Sequence, residues 1–236
     1  QKEKVAYSSQ SIGDILFDTS EFSRALESYE EAIQMFDNLG VDSLIIADAL
    51  NRKGHVLLKM KRWTDAVVVF NKALFIRVDR LPSDHSSIAE SFHFISKCHE
   101  GQNQIEEALG YSKKAQKILS GHLVDTDIMA ADAFFSLGRL VLLLEDSSRR
   151  CLGEAPSDDD IALALTNLAL ARDIYLRSFG EEALEVGDTL SLLGSIYHKY
   201  GEFSKAVGIF KKALAIFKTA PLDQSERIRE CLIKLG

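Results

Sequence analysis

The chain has 236 residues, a hydrophobic content of 46% and a formal net charge of −7. That is enough apolar material for a core, and the acidic balance excludes a sequence-independent grip on nucleic acid or on an anionic membrane. No apolar run reaches the ~20 residues a bilayer-spanning helix requires; the longest burst, Leu140 to Leu144, stops at Glu145, so direct membrane insertion is not expected.

Helical periodicity predicts helices over 4–17, 21–38, 42–60, 63–79, 85–101, 104–120, 126–145, 157–179, 183–200 and 203–219. Pro82, Pro156 and Pro221 all fall between these segments, where a missing N–H is tolerated. Gly40, Gly121 and Gly180 follow second members of helix pairs, where a left-handed cap is wanted. Asp42-Ser43, Ser83-Asp84 and Asp125-Thr126 stand at helix starts, with side chains able to accept first-turn amide protons. Between Glu145 and Asp160 runs EDSSRRCLGEAPSDDD, read as a long exposed turn inside the fourth pair. Its Asp158 to Asp160 run lacks the spaced ligands and glycine of a calcium loop, and an acidic helix start explains it. A further amphipathic helix follows from Ser225 through Ile228, Cys231, Leu232 and Leu235.

These elements repeat. The second helices carry Ala25/Tyr29/Ala32, Ala66/Phe70/Ala73, Ala108/Ser112/Ala115, Ala164/Leu168/Ala171 and Ala206/Phe210/Ala213. The first helices carry Ile12-Gly13, Lys53-Gly54, Ile95-Ser96, Leu137-Gly138 and Leu193-Gly194, at steps of 41, 42, 42 and 56 residues. The last step is one period plus an insertion of 14. The expectation is a single array over 1–236, with repeats near 4–40, 42–81, 85–121, 126–180 (inserted loop 145–160) and 183–220, and a terminal helix over 222–236. Leu235-Gly236 keeps the 42-residue register, so that helix either caps the stack or opens a sixth repeat. Phe22, Trp63, Ile105, Ile161 and Phe203, each three residues before an alanine, are placed to seal the contact within a pair.

The stretch Leu190 to Phe217, LSLLGSIYHKYGEFSKAVGIFKKALAIF, resembles the tetratricopeptide signature. Because the period exceeds the usual 34 or so, segments such as LPSDHSSIAESFHFISKCHEGQNQIEEALGYSKKAQKI look like the long repeats of kinesin light chains. The resemblance implies an all-α fold: a right-handed α-solenoid of five tetratricopeptide-like helix pairs plus a C-terminal helix, its first helices lining a concave surface. It also implies a non-enzymatic adaptor or scaffold. The paired asparagines that line the kinesin light chain cargo groove survive only as Asn51; His93-Phe94, Phe135-Ser136 and Ser191-Leu192 stand in their place.

In that register, positions three before and one after each glycine mark point into the groove. They are Gln10 and Asp14, Asn51 and His55, His93 and Lys97, Phe135 and Arg139, and Ser191 and Ser195, with Arg52 adjacent and His198 one turn beyond. His55, His93, Lys97 and Arg139 would make a basic centre with Phe135 as an apolar platform, suited to a peptide or protein whose acidic residues surround an aromatic or aliphatic anchor. Asp14 stands where a carboxylate-clamp residue would, and repels a terminal carboxylate. The alternative is a structural subunit held in a large assembly through the convex face and the inserted loop.

Nothing points to catalysis, a cofactor or a metal. The six histidines, His55, His85, His93, His99, His122 and His198, form no His-x3-His pair, and no phosphate loop or nucleophile elbow occurs. Cys98, Cys151 and Cys231 are odd in number and far apart, which points to a reducing, intracellular and most simply cytoplasmic setting. The first residue is Gln1, so an organelle lumen or stroma is the alternative if a presequence has been removed.

Overall fold

A computed structural model of the protein describes residues 2–121, 127–151, 156–220 and 223–235, with 147–151 as backbone only. Among the described residues it contains eleven α-helices and no strand. They are α1 (Lys2–Asp18), α2 (Phe22–Leu39), α3 (Ser43–Lys59), α4 (Trp63–Arg80), α5 (Ser86–Gly101), α6 (Ile105–Leu119), α7 (Ile128–Cys151), α8 (Asp158–Phe179), α9 (Leu184–Lys199), α10 (Phe203–Thr219) and α11 (Ser225–Leu235). The chain divides into two compact units, 1–121 and 122–236.

In the first unit α1/α2, α3/α4 and α5/α6 are antiparallel hairpins, and α2 packs on α3 as α4 packs on α5. The first two hairpins close where a glycine of the first helix meets an aromatic ring of the second. A Cβ on Gly13 would sit 2.8 Å from Tyr29, and one on Gly54 only 2.5 Å from Phe70. The third hairpin reaches the same closeness differently. Ser96 replaces the glycine and donates to the Ala108 carbonyl at 2.7 Å, and the facing position is Ser112 instead of an aromatic. Tyr29, Phe36 and Phe70 are fully enclosed, each contributing roughly 1.5–3 kcal/mol by burial.

The turn inside each of these hairpins has one backbone form. Ser20, Lys61 and Asn103 adopt φ of 64°, 58° and 61°, in the left-handed region. The next N–H, of Glu21, Arg62 or Gln104, donates to the carbonyl five residues back at 2.8 to 2.9 Å, closing a Schellman turn. In α9/α10 the same place is Gly201, φ 79°. In the fourth hairpin it falls on Glu145, and there the chain does not turn. Helix α7 runs on to Cys151, so the first half of the expected exposed turn is helix. Glu145 is buried, accepting from Tyr200 at 3.4 Å, and Asp146 pairs with Lys199. Residues 152–155, inside the expected loop, lie outside the described residues.

In the second unit α7 packs on α8 and α9 on α10, with α8 against α9 and α11 against α10 and α9. Gly138 meets Leu168 and Gly194 meets Phe210 in the same close contact. Asp158 to Asp160 form the first turn of α8, where Ser157 and Asp160 make a reciprocal capping box.

Several local expectations differ from the structure. The cap of α5 is His85, whose Nδ1 accepts from Ser87 N at 3.2 Å, and not Ser83-Asp84. Asp125-Thr126 lie outside the described residues, while Asp127 accepts from Ala130 N at 3.1 Å. Gly121 is not left-handed, because α6 ends on Ser120 in right-handed geometry. Trp63 packs against Gly101 of the following hairpin, 2.6 Å from where its Cβ would be, instead of sealing its own.

Candidate peptide-binding clefts

Helix α3 presents Asp48, Arg52, His55 and Lys59 along one face; α5 presents Glu90, Phe94, Lys97 and Gly101, each 42 residues on. The spacings of four, three and four keep each set in a stripe. Two adjoining clefts lie along these stripes in the first unit, and His55 lines both.

One cleft, of about 460 Å³, is lined by His55, Lys59, Trp63, Phe94, Lys97 and Glu100 among others. Phe94 is its hub. Its ring centroid is 4.1 Å from His55 edge-on and 5.4 Å from Phe70 in a stack, with the Lys97 ammonium 5.9 Å away. Burial, then the nearby charges of Lys97, Arg52, Arg77 and Lys59, hold His55 down at about 4, so the imidazole is neutral at physiological pH.

The other cleft, of about 550 Å³, is bounded by α1 to α5. Its Asp14 accepts from Arg52 and from the Tyr29 hydroxyl, each at 2.6 Å. Burial and this bond push the Tyr29 hydroxyl well above its ordinary value. Its floor is Arg77, only 3% exposed, which donates to Asp48, Glu90, the Ser91 hydroxyl and the Ser87 carbonyl at 2.9 to 3.0 Å. Asp18 and Asn51 complete the acceptor side.

The sequence-derived site residues therefore divide. Arg52, His55 and Lys97 are brought together on the two clefts, with Asn51 in a cleft wall at 7% exposure. His93 is 1% exposed and enclosed, because the position three before the mark turns into the packing and the one after it, Phe94, faces out. Arg52 is paired with Asp14 and does not add to a free basic centre. In the second unit Phe135 and Arg139 are half-buried on α7. Ser191 and Ser195 are covered by α11: Lys234 donates to the Ser195 hydroxyl at 2.7 Å, and Cys231 Sγ lies 3.7 Å from the Ser191 hydroxyl. His198 is exposed, 5.4 Å from the Phe203 ring. Gln10 lies on α1, its Oε1 buried without a hydrogen-bond partner among the described residues.

Phe94, Trp63, Lys59, Asp18, Asp48, Glu90 and Arg77 were absent from the sequence-derived set. A signal for four of them (Asp48, Lys59, Glu90 and Phe94) existed, since 48/52/55/59 and 90/94/97/101 are equivalent positions at the repeat period. Among the described residues no three His, Cys, Asp or Glu side chains converge as metal ligands, and no helix is long and apolar enough to cross a membrane. Cys98 is fully buried, which pushes its thiol up to about 12. His122 lies outside the described residues.

Successive hairpins, each closed by a small residue packed against the second helix, define an all-α helical-repeat protein. The tetratricopeptide-repeat profile matches residues 45–120 and 157–219, more than half of the chain, and the chain belongs to the tetratricopeptide-repeat family. No curated protein matches it. Among solved structures, the nearly identical tetratricopeptide-like repeats assigned to a kinesin light chain of Podosopora anserina superpose with a TM-score of 0.69 at 14% identity, over 92% of this chain and 96% of that one. BtubC (BKLC) of P. vanneervenii gives 0.65 at 15% identity over 91% and 82%. YrrB, described as a tetratricopeptide protein with an unusual peptide-binding site, gives 0.56 at 18% identity over 95% and 89%. At these identities the likeness is one of fold.

Proposed function

We propose that this chain is a non-enzymatic interaction scaffold whose first unit binds a segment of a partner protein along the α3 and α5 stripes. The observation that carries the reading is the cleft in which Phe94 and Trp63 offer apolar rings beside the Lys59 and Lys97 ammonium groups. An aromatic or aliphatic side chain next to an aspartate or glutamate suits it, through ring contact and charge-assisted hydrogen bonds. The unusual peptide-binding site named for YrrB is consistent with such use of the fold. Selection of a displayed random-peptide library on the whole chain tests the reading. Enriched peptides should pair an aromatic with an acidic residue, and Lys97→Glu should weaken them at least about tenfold with helicity unchanged. Arg139→Glu is the parallel variant in the second unit. Peptides indifferent to Lys97→Glu would end the proposal, and peptides weakened only by Arg139→Glu would move the site to the second unit.

A second reading, a subunit locked into a larger assembly through its outer face, draws support from α4. Val68, Phe75 and Val78 are 51%, 78% and 57% exposed, whereas the first hairpin has Glu27, Gln34 and Asp37 at those places. Phe75→Glu should then release co-purifying partners that Lys97→Glu retains.

A further inference from the structure

Resting on the segment-binding reading above, we infer that the cleft between α1, α3 and α5 receives a basic side chain of the partner, an arginine by preference. The recognised segment is therefore of mixed charge, with a cation at one end of the paired clefts and an acidic-aromatic anchor at the other.

The donors lining this cleft are already engaged. Arg52 and the Tyr29 hydroxyl both donate to Asp14, and Arg77 donates to four acceptors of its own surroundings. What remains is acceptor capacity. The Asp48 side chain is 67% exposed, with a single bond to Arg77, and Asp18 is exposed and unengaged among the described residues. Four carboxylates, of Asp14, Asp18, Asp48 and Glu90, face the two guanidinium groups of Arg52 and Arg77, so two carboxylates are in excess. The neutral His55 adds no positive charge to offset them.

A second observation is independent of the carboxylates. Asn51 lies in the cleft wall at 7% exposure; its amide nitrogen is 3.4 Å from His55 Nε2, while its Oδ1 has no hydrogen-bond partner among the described residues. An unsatisfied buried acceptor is costly and is relieved by an incoming donor. A carboxylate or phosphate brings only acceptors and meets repulsion here; a guanidinium brings five N–H donors on a plane. Phe17, half-buried in the same lining, offers a ring face on which that plane can lie.

The test is a nuclear magnetic resonance titration of the whole protein with N-acetyl-arginine-N-methylamide, with the isosteric uncharged citrulline derivative beside it. The expected result is saturable shifts at the Asn51 side-chain amide and Phe17 with Kd on the order of 1–10 mM. The citrulline compound should produce none, and Asp18→Asn should weaken the arginine compound about fivefold. Asp18 does not contact Arg77, so this variant leaves the buried floor intact. Equal shifts from both compounds, no shifts, or an unchanged affinity in Asp18→Asn overturns the cation cleft, while the Phe94–Lys97 anchor still stands or falls by Lys97→Glu. A positive titration with peptides insensitive to Lys97→Glu keeps this cleft and removes the anchor.

Discussion

Gly54 and the Phe70 ring occupy one another's space so closely that a Cβ on the glycine would lie 2.5 Å from Cε1 of the ring. The contact brings α3 and α4 to backbone distance and buries the ring completely. Gly54→Ala should therefore lower stability by about 1–3 kcal/mol, as overpacking does. The third hairpin suggests a rescue, because Ser96 faces Ser112 there. Gly54→Ser with Phe70→Ser should lose less than the two single changes summed, as a double-mutant cycle in urea would measure.

Lys61 holds φ 58° in the α3–α4 turn, where a β-carbon is strained. The equivalent place in α9/α10 is Gly201. Lys61→Gly should leave stability unchanged or raise it by up to about 1 kcal/mol, whereas Lys61→Val should lower it by at least about 1 kcal/mol. Thermal unfolding followed by circular dichroism separates these outcomes.

Arg77 replaces what the other four hairpins fill with Phe36, Leu119, Tyr175 and Phe217, yet it is buried. Its ion pairs with Asp48 and Glu90 offset its desolvation, and removing one partner exposes that cost. Arg77→Met should cost about 2–4 kcal/mol. Adding Glu90→Gln should recover part of it, because the orphaned carboxylate is then neutral; denaturant midpoints provide the check.

Burial and the surrounding cations hold His55 down at about 4 in the folded chain, below the ordinary imidazole value of about 6.5. The folded state therefore binds this proton less readily than the unfolded one. The contribution is fully present above about 6.5 and is lost as pH falls towards 4. It is on the order of 1–3 kcal/mol. Stability of the wild type should decline more steeply across that window than that of His55→Gln, and the two curves should run parallel above pH 7 or so.

Binding at the Phe94–Trp63 cleft should weaken with ionic strength, since Lys59 and Lys97 are near the surface and screened by salt. A partner peptide measured calorimetrically at low and high salt should lose affinity in wild type, and lose much less in a Lys59→Glu, Lys97→Glu variant that binds weakly throughout. A salt-independent affinity would show that charge does not guide recognition there.

Much of the fold was legible because helical repeats are local objects. The alanine-flanked triads and the small-residue marks lie on helices whose bounds fall within a few residues of those expected, the C-terminal end of α7 excepted. The misreadings have physical causes. Ser20, Lys61 and Asn103 take the left-handed conformation that sequence reading assigns to glycine, because the surrounding hairpin over-determines the turn. Glu145 stays helical where partners far along the chain meet this turn, Tyr200 at the Glu145 carboxylate and Lys199 at Asp146. For the cleft-lining face, reading positions three before the mark selected His93, which is enclosed; its neighbour Phe94 lines a cleft instead, and a shift of one residue turns a helix by about 100°.

The sequence by itself determined the helix-pair period, the small residues that mark each hairpin, and the family, since these depend on residues a few turns apart. Only the tertiary structure decided which charges cancel. Arg52 spends its charge on Asp14 across 38 positions, and Arg77 is drawn under Asp48 and Glu90. A cleft that looked basic from its helix faces is acidic on one side for that reason: Coulomb energy depends on distance in space, which the order of residues does not state.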